Sequence, residues 1–173
     1  MKTTFIIALA GSLLLAPAAM AADSGQEFVD KAAVGGMFEV ESGKLARTRS
    51  ESPDLRALAM MIEQDHRKAN VRLAEVAKGE TLTVPTTLDS PHAAKLKDLE
   101  ATRTGFDAKF LSVQKSAHAE SIATFEAYAK DGDNKQLKAL AGDMLPTLKQ
   151  HHDQIAKLMG NEEKTPKPVK PVD

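Results

Sequence analysis

Apolar residues recur every three or four positions along four long stretches of the chain, which is the spacing of a helix with one buried face. The first of these stretches runs from about Gln26 to Arg49. The second follows Ser52 and Pro53, a capping residue and a first-turn proline, and it ends at Gly79. Both patterns predict long amphipathic helices.

The segment after the second stretch contains threonines, prolines and a glycine without helical periodicity, so it predicts a long connection. Ser90 and Pro91 repeat the signal for a helix start, and a short helix is expected from there to about Thr102. Gly105 predicts a break, after which the third long helix covers residues 106–130.

The fourth long helix is expected to follow a turn capped by Asp133 and to end at Gly160, with a bend at Pro146. Four long amphipathic helices with short first and third connections predict an all-α protein. The expected architecture is an up-down-up-down four-helix bundle with a short extra helix before the third long helix.

The two ends of the chain differ in composition from the helical stretches. Residues 1–21 combine an early lysine, an apolar run and the small residues Ala19 and Ala21, which is typical of a cleaved secretory signal peptide. We therefore expect residues 22–160 to form a domain in the periplasm or outside the cell. The Pro- and Lys-rich tail, residues 161–173, has little to bury and is expected to be disordered.

Charge and composition argue against several classes of function. With 23 basic and 24 acidic residues the formal net charge is -1, so no nucleic-acid-binding face is expected. Aromatic residues make up 4% and tryptophan is absent, which disfavours base stacking. No stretch of the mature chain approaches the ~20 apolar residues of an integral membrane span. Because cysteine is absent, neither disulfides nor a lipid anchor on cysteine is expected.

Three of the five histidines fall on the inward faces of three different helices. His66 lies on the buried stripe of the second helix, His118 on that of the third and His151 on that of the fourth. Counting along the predicted helices places His66 and His118 at similar depth, with Glu39 of the first helix close to that level. His151 is expected about one turn away. Asp65 directly precedes His66.

Inward imidazoles with nearby carboxylates permit two interpretations. They could form a metal site, for which zinc, copper or iron suits the donors better than calcium or magnesium. They could instead form a buried hydrogen-bonded network that specifies the register of the helices. Glu63 and His66 also match the Glu-x-x-His pattern of di-metal sites in ferritin-like bundles, although the fourth helix offers no second copy.

The other histidines and the methionines are expected to have ordinary roles. His92 and His152 have the positions of surface residues, and Met60, Met61 and Met144 those of core residues rather than copper ligands. The sequence contains no cysteine nucleophile, no nucleophile-elbow serine and no glycine-rich phosphate loop, so it gives little support to hydrolase chemistry. Whether the protein is an enzyme is left open, and no catalytic residue is predicted.

Five segments together have a familiar form: "FVDKAAVGGMFEVESGKLA", "LAMMIEQDHRKANVRLAEVA", "GFDAKF", "AHAESIATFE" and "LPTLKQHH". They resemble the exported bacterial family called domain of unknown function 4142, whose members are often labelled membrane or outer-membrane proteins. The resemblance extends from Phe28 to about Leu158 and implies a ferritin-like helical bundle. The family positions present in this chain are Glu39, Asp65, His66, Phe106, Asp107, His118, Pro146 and His151.

The sequence therefore predicts an exported ferritin-like bundle that binds a transition metal, namely zinc, iron or copper. The predicted metal-binding residues are Glu39, Asp65, His66, His118 and His151. We expect a metal-binding or stress-related protein, with a homo-oligomer as an open possibility. The alternative interpretation is a metal-free helical interaction module of the cell envelope, in which the histidines only organise the core.

Overall fold

A computed structural model describes residues 23–162, which form five α-helices and no strand. The helices are α1 (Gly25–Arg49), α2 (Pro53–Gly79), α3 (Ser90–Ala101), α4 (Phe106–Asp131) and α5 (Lys135–Glu162). The all-α prediction is therefore confirmed. The predicted signal peptide and residues 163–173 of the predicted tail lie outside the described residues. Within the described range, no helix is long and apolar enough to cross a membrane.

Side-chain caps mark the starts of the first two helices. Ser24 precedes α1 and forms a reciprocal capping box with Glu27, in which each side chain accepts a hydrogen bond from the other residue's main-chain N–H. The predicted cap Ser52 accepts a hydrogen bond from the N–H of Leu55 at 3.3 Å, and Pro53 is the first residue of α2. These local interactions satisfy N–H groups that have no partner within the helix.

Two predicted capping residues were wrong by one position. Asp89, not Ser90, precedes α3, and its carboxylate accepts a hydrogen bond from the N–H three residues later at 2.8 Å. Before α5 the side chain of Asn134, not that of Asp133, accepts a hydrogen bond from the N–H three residues later at 3.0 Å. In both helices the cap is the Asx residue whose oxygen reaches the third N–H beyond it.

Glycine and proline positions had different outcomes in the later helices. Gly105 has a φ of 67° in the left-handed region directly before α4, which confirms the predicted break. Gly160 lies inside α5, which continues to Glu162, so the predicted helix end at this residue was wrong. A glycine permits a helix to end but does not force it to do so. Pro146 also lies inside α5, as expected.

Two of the family positions connect the start of α4 to the end of α1. Arg49 donates hydrogen bonds to main-chain carbonyls at the end of α3, and its guanidinium carbon lies 4.5 Å from the ring centroid of Phe106. The hydroxyl of Ser50 donates to the carboxylate of Asp107 at 2.8 Å. Phe106 and Asp107 therefore stabilise this end of the molecule.

The directions of the long helices differ from the prediction. Gln26 forms two hydrogen bonds with the main chain of Thr83, which places the start of α1 beside the end of α2. The Arg49 contacts place the end of α1 beside the start of α4. Asn134 donates to Glu80 at 2.6 Å, which places the start of α5 beside the end of α2. Because α2 and α4 run in the same direction, opposite to α1 and α5, the predicted up-down-up-down order was wrong.

The connection between α2 and α4 accounts for this difference. It comprises residues 80–105, includes α3, and crosses from one end of the long helices to the other. The spacing of apolar residues determines which face of a helix is buried, but it does not determine which way the helix points. Two antiparallel pairs joined by one long crossover is a known arrangement of ferritin-like bundles.

The core consists of two apolar clusters separated by a polar layer. The cluster at one end includes Phe38, Ile62, Leu111 and Ile155. The cluster at the other end includes Phe28, Leu73, Phe125 and Leu148. In the four long helices, the residues at the boundary between the clusters are Glu39, His66, His118 and His151. The helices thus bring one polar residue each to the same level of the core.

Candidate metal centre

Three imidazole rings meet in this polar layer. The ring centroid of His66 lies 5.5 Å from that of His118 and 5.6 Å from that of His151, and the last two centroids are 5.4 Å apart. His118 and His151 are fully buried, and His66 is 7% exposed. Each ring offers one nitrogen, and the three nitrogens lie within 4.8 Å of one another. His151, expected about one turn away, is therefore at the level of the other two.

The main chain orients the ring of His118. The carbonyl oxygen of Gln114, one turn earlier in α4, lies 3.0 Å from Nδ1 of His118. A carbonyl oxygen only accepts hydrogen bonds, so the proton of the neutral imidazole is on Nδ1. Nε2 consequently keeps a free lone pair, and this atom points towards His151.

Asp65 orients the ring of His151 in a similar way. Its Oδ2 atom lies 3.3 Å from Nε2 of His151, and a carboxylate also only accepts hydrogen bonds. The proton of this ring is therefore on Nε2, and Nδ1 keeps a free lone pair. A carboxylate behind the imidazole is the contact that fixes the tautomer of histidine ligands in many metal sites.

The two free lone pairs face one another across 3.3 Å, the distance between Nε2 of His118 and Nδ1 of His151. Two acceptors form no hydrogen bond, so a proton or a cation between the rings would stabilise this close approach. Two nitrogens bound to one tetrahedral metal at about 2.0–2.1 Å lie about 3.3–3.4 Å apart. The observed separation therefore fits a shared metal ion.

Burial opposes the added proton. It lowers the pKa of His118 to about 4, and the neighbouring His151 acts in the same direction. Burial, followed by the charges of the other two histidines, lowers the pKa of His66 well below its ordinary value. Burial also lowers the pKa of His151, although Asp65 opposes this change. All three rings are thus neutral at pH 7, which is the form that binds metals.

Unpaired acceptor atoms surround the histidines. Among the described residues, three buried side-chain atoms have no hydrogen-bond partner: Nε2 of His66, Oε2 of Glu39 and Oε1 of Gln114. Nε2 of His66 and Oε1 of Gln114 can accept a hydrogen bond, and Oε2 of Glu39 can accept one or, when the carboxyl group is protonated, donate one. Because buried polar atoms are normally paired, unpaired atoms beside the histidines indicate a place suited to a cation or a proton.

Glu39 lies behind His118, on the side away from the other rings. It is 1% exposed, and its Oε1 atom lies 3.6 Å from Nδ1 of His118. Burial raises the pKa of Glu39 to about 8, so the carboxyl group is mainly protonated at pH 7. The five predicted metal-binding residues therefore come together, with the imidazoles facing one another and the carboxyl groups of Glu39 and Asp65 behind them.

Two further buried polar residues belong to the layer and were not predicted from the sequence. The side-chain amide of Gln114 donates to the hydroxyl of Ser42 at 2.9 Å, and this hydroxyl donates to the carbonyl of Phe38 at 2.7 Å. Both Gln114 and Ser42 are fully buried. Gln114 lies three residues after Leu111 on the apolar stripe of α4, and this spacing is the sequence signal that could have identified it.

Glu63 does not join the cluster, although it completes the Glu-x-x-His pattern with His66. Its carboxylate pairs with Arg67 at 2.9 Å and with Arg47 at 3.2 Å. Burial by itself raises the pKa of Glu63, but the hydrogen bonds from the two arginines bring it below its ordinary value. Glu63 therefore does not occupy the ligand position that this motif provides in di-metal bundles.

The other singled-out residues had mixed outcomes. Met60 is 46% exposed, so its prediction as a core residue was wrong. Met61 and Met144 are partly buried against the apolar clusters, as expected. His92 is half-buried against a phenylalanine of α1, with ring centroids 5.5 Å apart, and is not an open surface residue. The side chain of His152 is partly exposed.

Two solved structures have the same helical fold. The crystal structure of a DUF305 fragment from Deinococcus radiodurans matches 81% of this chain and 99% of its own length, with a TM-score of 0.69 and 14% identity. CopM in its Cu(II)-bound form matches 82% of this chain and 99% of its own length, with a TM-score of 0.69 and 17% identity. These low identities make the likeness one of fold alone.

Sequence comparison identifies the family of this chain. No curated protein sequence matches it significantly. The family model described as Domain of unknown function (DUF4142) matches residues 10–158, which include the three histidines and both carboxylates of the polar layer. The resemblance noted in the five sequence segments is therefore confirmed, and the chain belongs to the DUF4142 family.

Proposed function

We propose that this protein binds a single transition-metal ion through His66, His118 and His151. The observation that carries the proposal is the 3.3 Å approach of two lone pairs, on Nε2 of His118 and Nδ1 of His151, in a buried site. Nε2 of His66 is a third buried nitrogen without a hydrogen-bond partner. Three neutral nitrogens that converge in this way form a donor set suited to a divalent metal.

Copper and zinc suit this donor set better than iron. Imidazole nitrogen binds all three metals, but the carboxylates that complete most non-haem iron sites lie behind the rings here. The fold likeness to CopM, a protein solved in a Cu(II)-bound form, supports testing copper first. For the same nitrogen donors, copper(II) also binds more tightly than zinc or iron(II).

Glu39 and Asp65 act in this proposal through the imidazoles rather than as direct ligands. Asp65 contacts the proton-bearing Nε2 of His151, and Glu39 lies closest to the proton-bearing Nδ1 of His118. A carboxylate in the position of Asp65 increases the basicity of the ring and holds its orientation. Asp65 would also partly balance the charge of a bound cation, whereas the mainly protonated carboxyl group of Glu39 would do so only if it lost its proton when the cation bound.

We further propose that the protein is exported and acts in the periplasm as a ferritin-like bundle. The signal-like composition of residues 1–21 supports this location, with a mature chain that begins at residue 22. Expression of the full chain in a bacterium, followed by fractionation and N-terminal sequencing, tests the location. Recovery of the unprocessed chain from the cytoplasm would contradict it.

Metal binding is tested on untagged protein, because a histidine tag would bind the same metals. Elemental analysis of the purified protein and calorimetric titration of the metal-free form with copper(II), zinc and iron(II) should show one ion per chain. His66→Ala should weaken the binding at least about tenfold, whereas His152→Ala, a neighbouring histidine outside the cluster, should leave it unchanged. No stoichiometric binding of any of these metals would overturn the proposal.

A second function is supported by a chain of polar contacts across all four long helices. Ser42 of α1 accepts from Gln114 of α4, the Gln114 carbonyl contacts His118, and His151 of α5 contacts Asp65 of α2. Such a network could specify the packing of a metal-free envelope protein whose role is interaction. In that case His118→Ala, which removes the ring that contacts Gln114, would destabilise the protein by about 1–3 kcal/mol and added metal would have no specific effect.

A further inference from the structure

We infer that the metal site keeps one coordination position for a small external anion, which reaches it through a cavity beside the histidines. This inference rests on the proposed function, because the anion binds to the metal held by His66, His118 and His151. It adds to that function a ligand class, a small monoanion such as a carboxylate, and an entrance. The site would thus be an exchangeable metal centre rather than a closed structural one.

The donor count is the first argument. Three rings supply three nitrogens, and neither nearby carboxyl group is directed at the space between them. Asp65 is engaged by Nε2 of His151 at 3.3 Å and by Nζ of Lys68 at 3.3 Å. Oε1 of Glu39 lies 3.6 Å from Nδ1 of His118, the nitrogen that faces away from the cluster. Zinc and copper commonly take at least four ligands, so the three rings leave a position that a ligand from outside the chain can fill.

A cavity supplies the route for that ligand. It has a volume of about 260 Å³ and lies between the long helices, with His66, His151 and Asp65 in its wall. A water molecule takes about 30 Å³ in the liquid, so the cavity has room for a ligand of several non-hydrogen atoms. Its wall also contains the polar side chains of Ser121 and Thr147. These hydroxyls can donate hydrogen bonds to a ligand.

Charge determines which kind of ligand is favoured. The cavity wall contains two basic residues, Lys68 and Arg72, and two acidic residues, Asp65 and Asp143, so the charges of the wall balance. They also form ion pairs with one another, Lys68 with Asp65 and Arg72 with Asp143. Because Asp65 already pairs with Lys68, the positive charge of a divalent ion on three neutral imidazoles would be only partly compensated. An anion at the fourth position would reduce this charge.

The test uses azide as the probe, added to the full-length protein loaded with copper(II). Binding of azide to the metal produces a charge-transfer absorption band and changes the electron paramagnetic resonance spectrum. If the titrations show that zinc alone binds, the cobalt(II) form is used with the same absorption readout. We expect saturable azide binding with a stoichiometry of one per metal.

A cavity-filling variant locates the binding. Ala69 lies one turn after His66 and lines the cavity, so Ala69→Leu should block the route and weaken azide binding at least about tenfold. Ala108→Leu makes the same change at an exposed position of α4 outside the cavity and should bind azide like the wild type. Metal affinity is measured for each variant, and Ser121→Leu, at another position of the cavity wall, replaces Ala69→Leu if that variant loses the metal.

The outcomes separate this inference from the proposed function. Metal binding without any azide-induced change would overturn the inference and leave the proposed function intact. Azide binding that is equally strong in the wild type and in the cavity-filling variant would also overturn it, since the ligand would then use another route. A wild-type chain that binds none of the tested metals overturns both.

Discussion

Nε2 of His118 on α4 lies 3.3 Å from Nδ1 of His151 on α5, and each ring has its proton on the opposite nitrogen. This relationship brings two lone pairs together inside the core. It is unfavourable in the metal-free protein and favourable around a cation. The stability of the protein should therefore respond to metal, to pH and to the loss of single side chains in the polar layer.

Added metal should raise the melting temperature of the wild-type protein. An ion that binds only the folded state stabilises it by roughly 2.7 kcal/mol when its free concentration is about 100 times Kd. For a domain of this size, such a gain corresponds to a shift of several degrees. His118→Ala should abolish the shift. Scanning calorimetry with copper(II), zinc or a chelator checks this, and an equal shift in both proteins would show that the metal binds elsewhere.

The metal-free protein should lose stability in mild acid. Burial holds the pKa of His118 at about 4 in the folded protein, against 6.5 for an unperturbed histidine, so the unfolded chain binds more protons in this range. The contribution of the neutral His118 ring to the free energy of unfolding is complete above about pH 6.5. It is lost progressively as pH falls from there through 4, and the loss from His118 alone is about 3 kcal/mol. Urea unfolding in chelator across this window measures it. His118→Asn should flatten the curve, and an unchanged slope would contradict the assignment.

Glu39 should make the metal-free protein less stable as pH rises. Its pKa is raised to about 8 in the folded protein, so folding takes up a proton between about pH 4.5 and 8. Stability from this group is greatest below 4.5 and falls as pH rises through 8. Glu39→Gln should remove this loss and make the metal-free protein more stable than wild type at pH 9. Glu41→Gln, at an exposed site on the same helix, serves as the control and should keep the wild-type slope.

Close packing of α1 on α2 should make Gly43 sensitive to a methyl group. A Cβ atom at this position would lie 3.0 Å from the main-chain oxygen of Ala59 and 3.3 Å from Cβ of Glu63. The main chain of α2 cannot easily move away to make room for the added methyl group. Gly43→Ala should therefore destabilise the protein by about 1–3 kcal/mol. A Cβ atom at Gly142 would have no neighbouring atom within 4 Å, so Gly142→Ala should stabilise α5 by about 0.5–1 kcal/mol. Denaturant melts of the two variants should move in opposite directions, and two shifts of the same sign would contradict the packing argument.

The depth of His66 and His118 in the core was predicted correctly, although the predicted directions of the long helices were wrong. The sequence argument placed His66 and His118 at one level by assuming that the end of the second long helix meets the start of the third. These ends are in fact at opposite ends of the bundle. The rings still meet because His66 and His118 lie near the middles of α2 and α4, where depth is independent of helix direction. The offset expected for His151 came from uncertain helix boundaries.

The sequence by itself determined the helices and the presence of polar side chains on buried faces. Periodicity and capping chemistry depend on neighbours three or four residues apart, so they can be read from one chain. This local information was sufficient to select Glu39, Asp65, His66, His118 and His151, which the structure brings together, and to locate the break at Gly105.

Only the tertiary structure decided the directions of the helices and the function that each polar group can perform. Helix direction depends on how residues 80–105 cross the bundle, which no local spacing records. The structure also showed that Glu63 pairs with two arginines, whereas Glu39 lies behind His118. Which nitrogen of a ring carries the proton depends on contacts between residues far apart in the chain, such as His151 with Asp65, and these contacts exist only once the helices have packed.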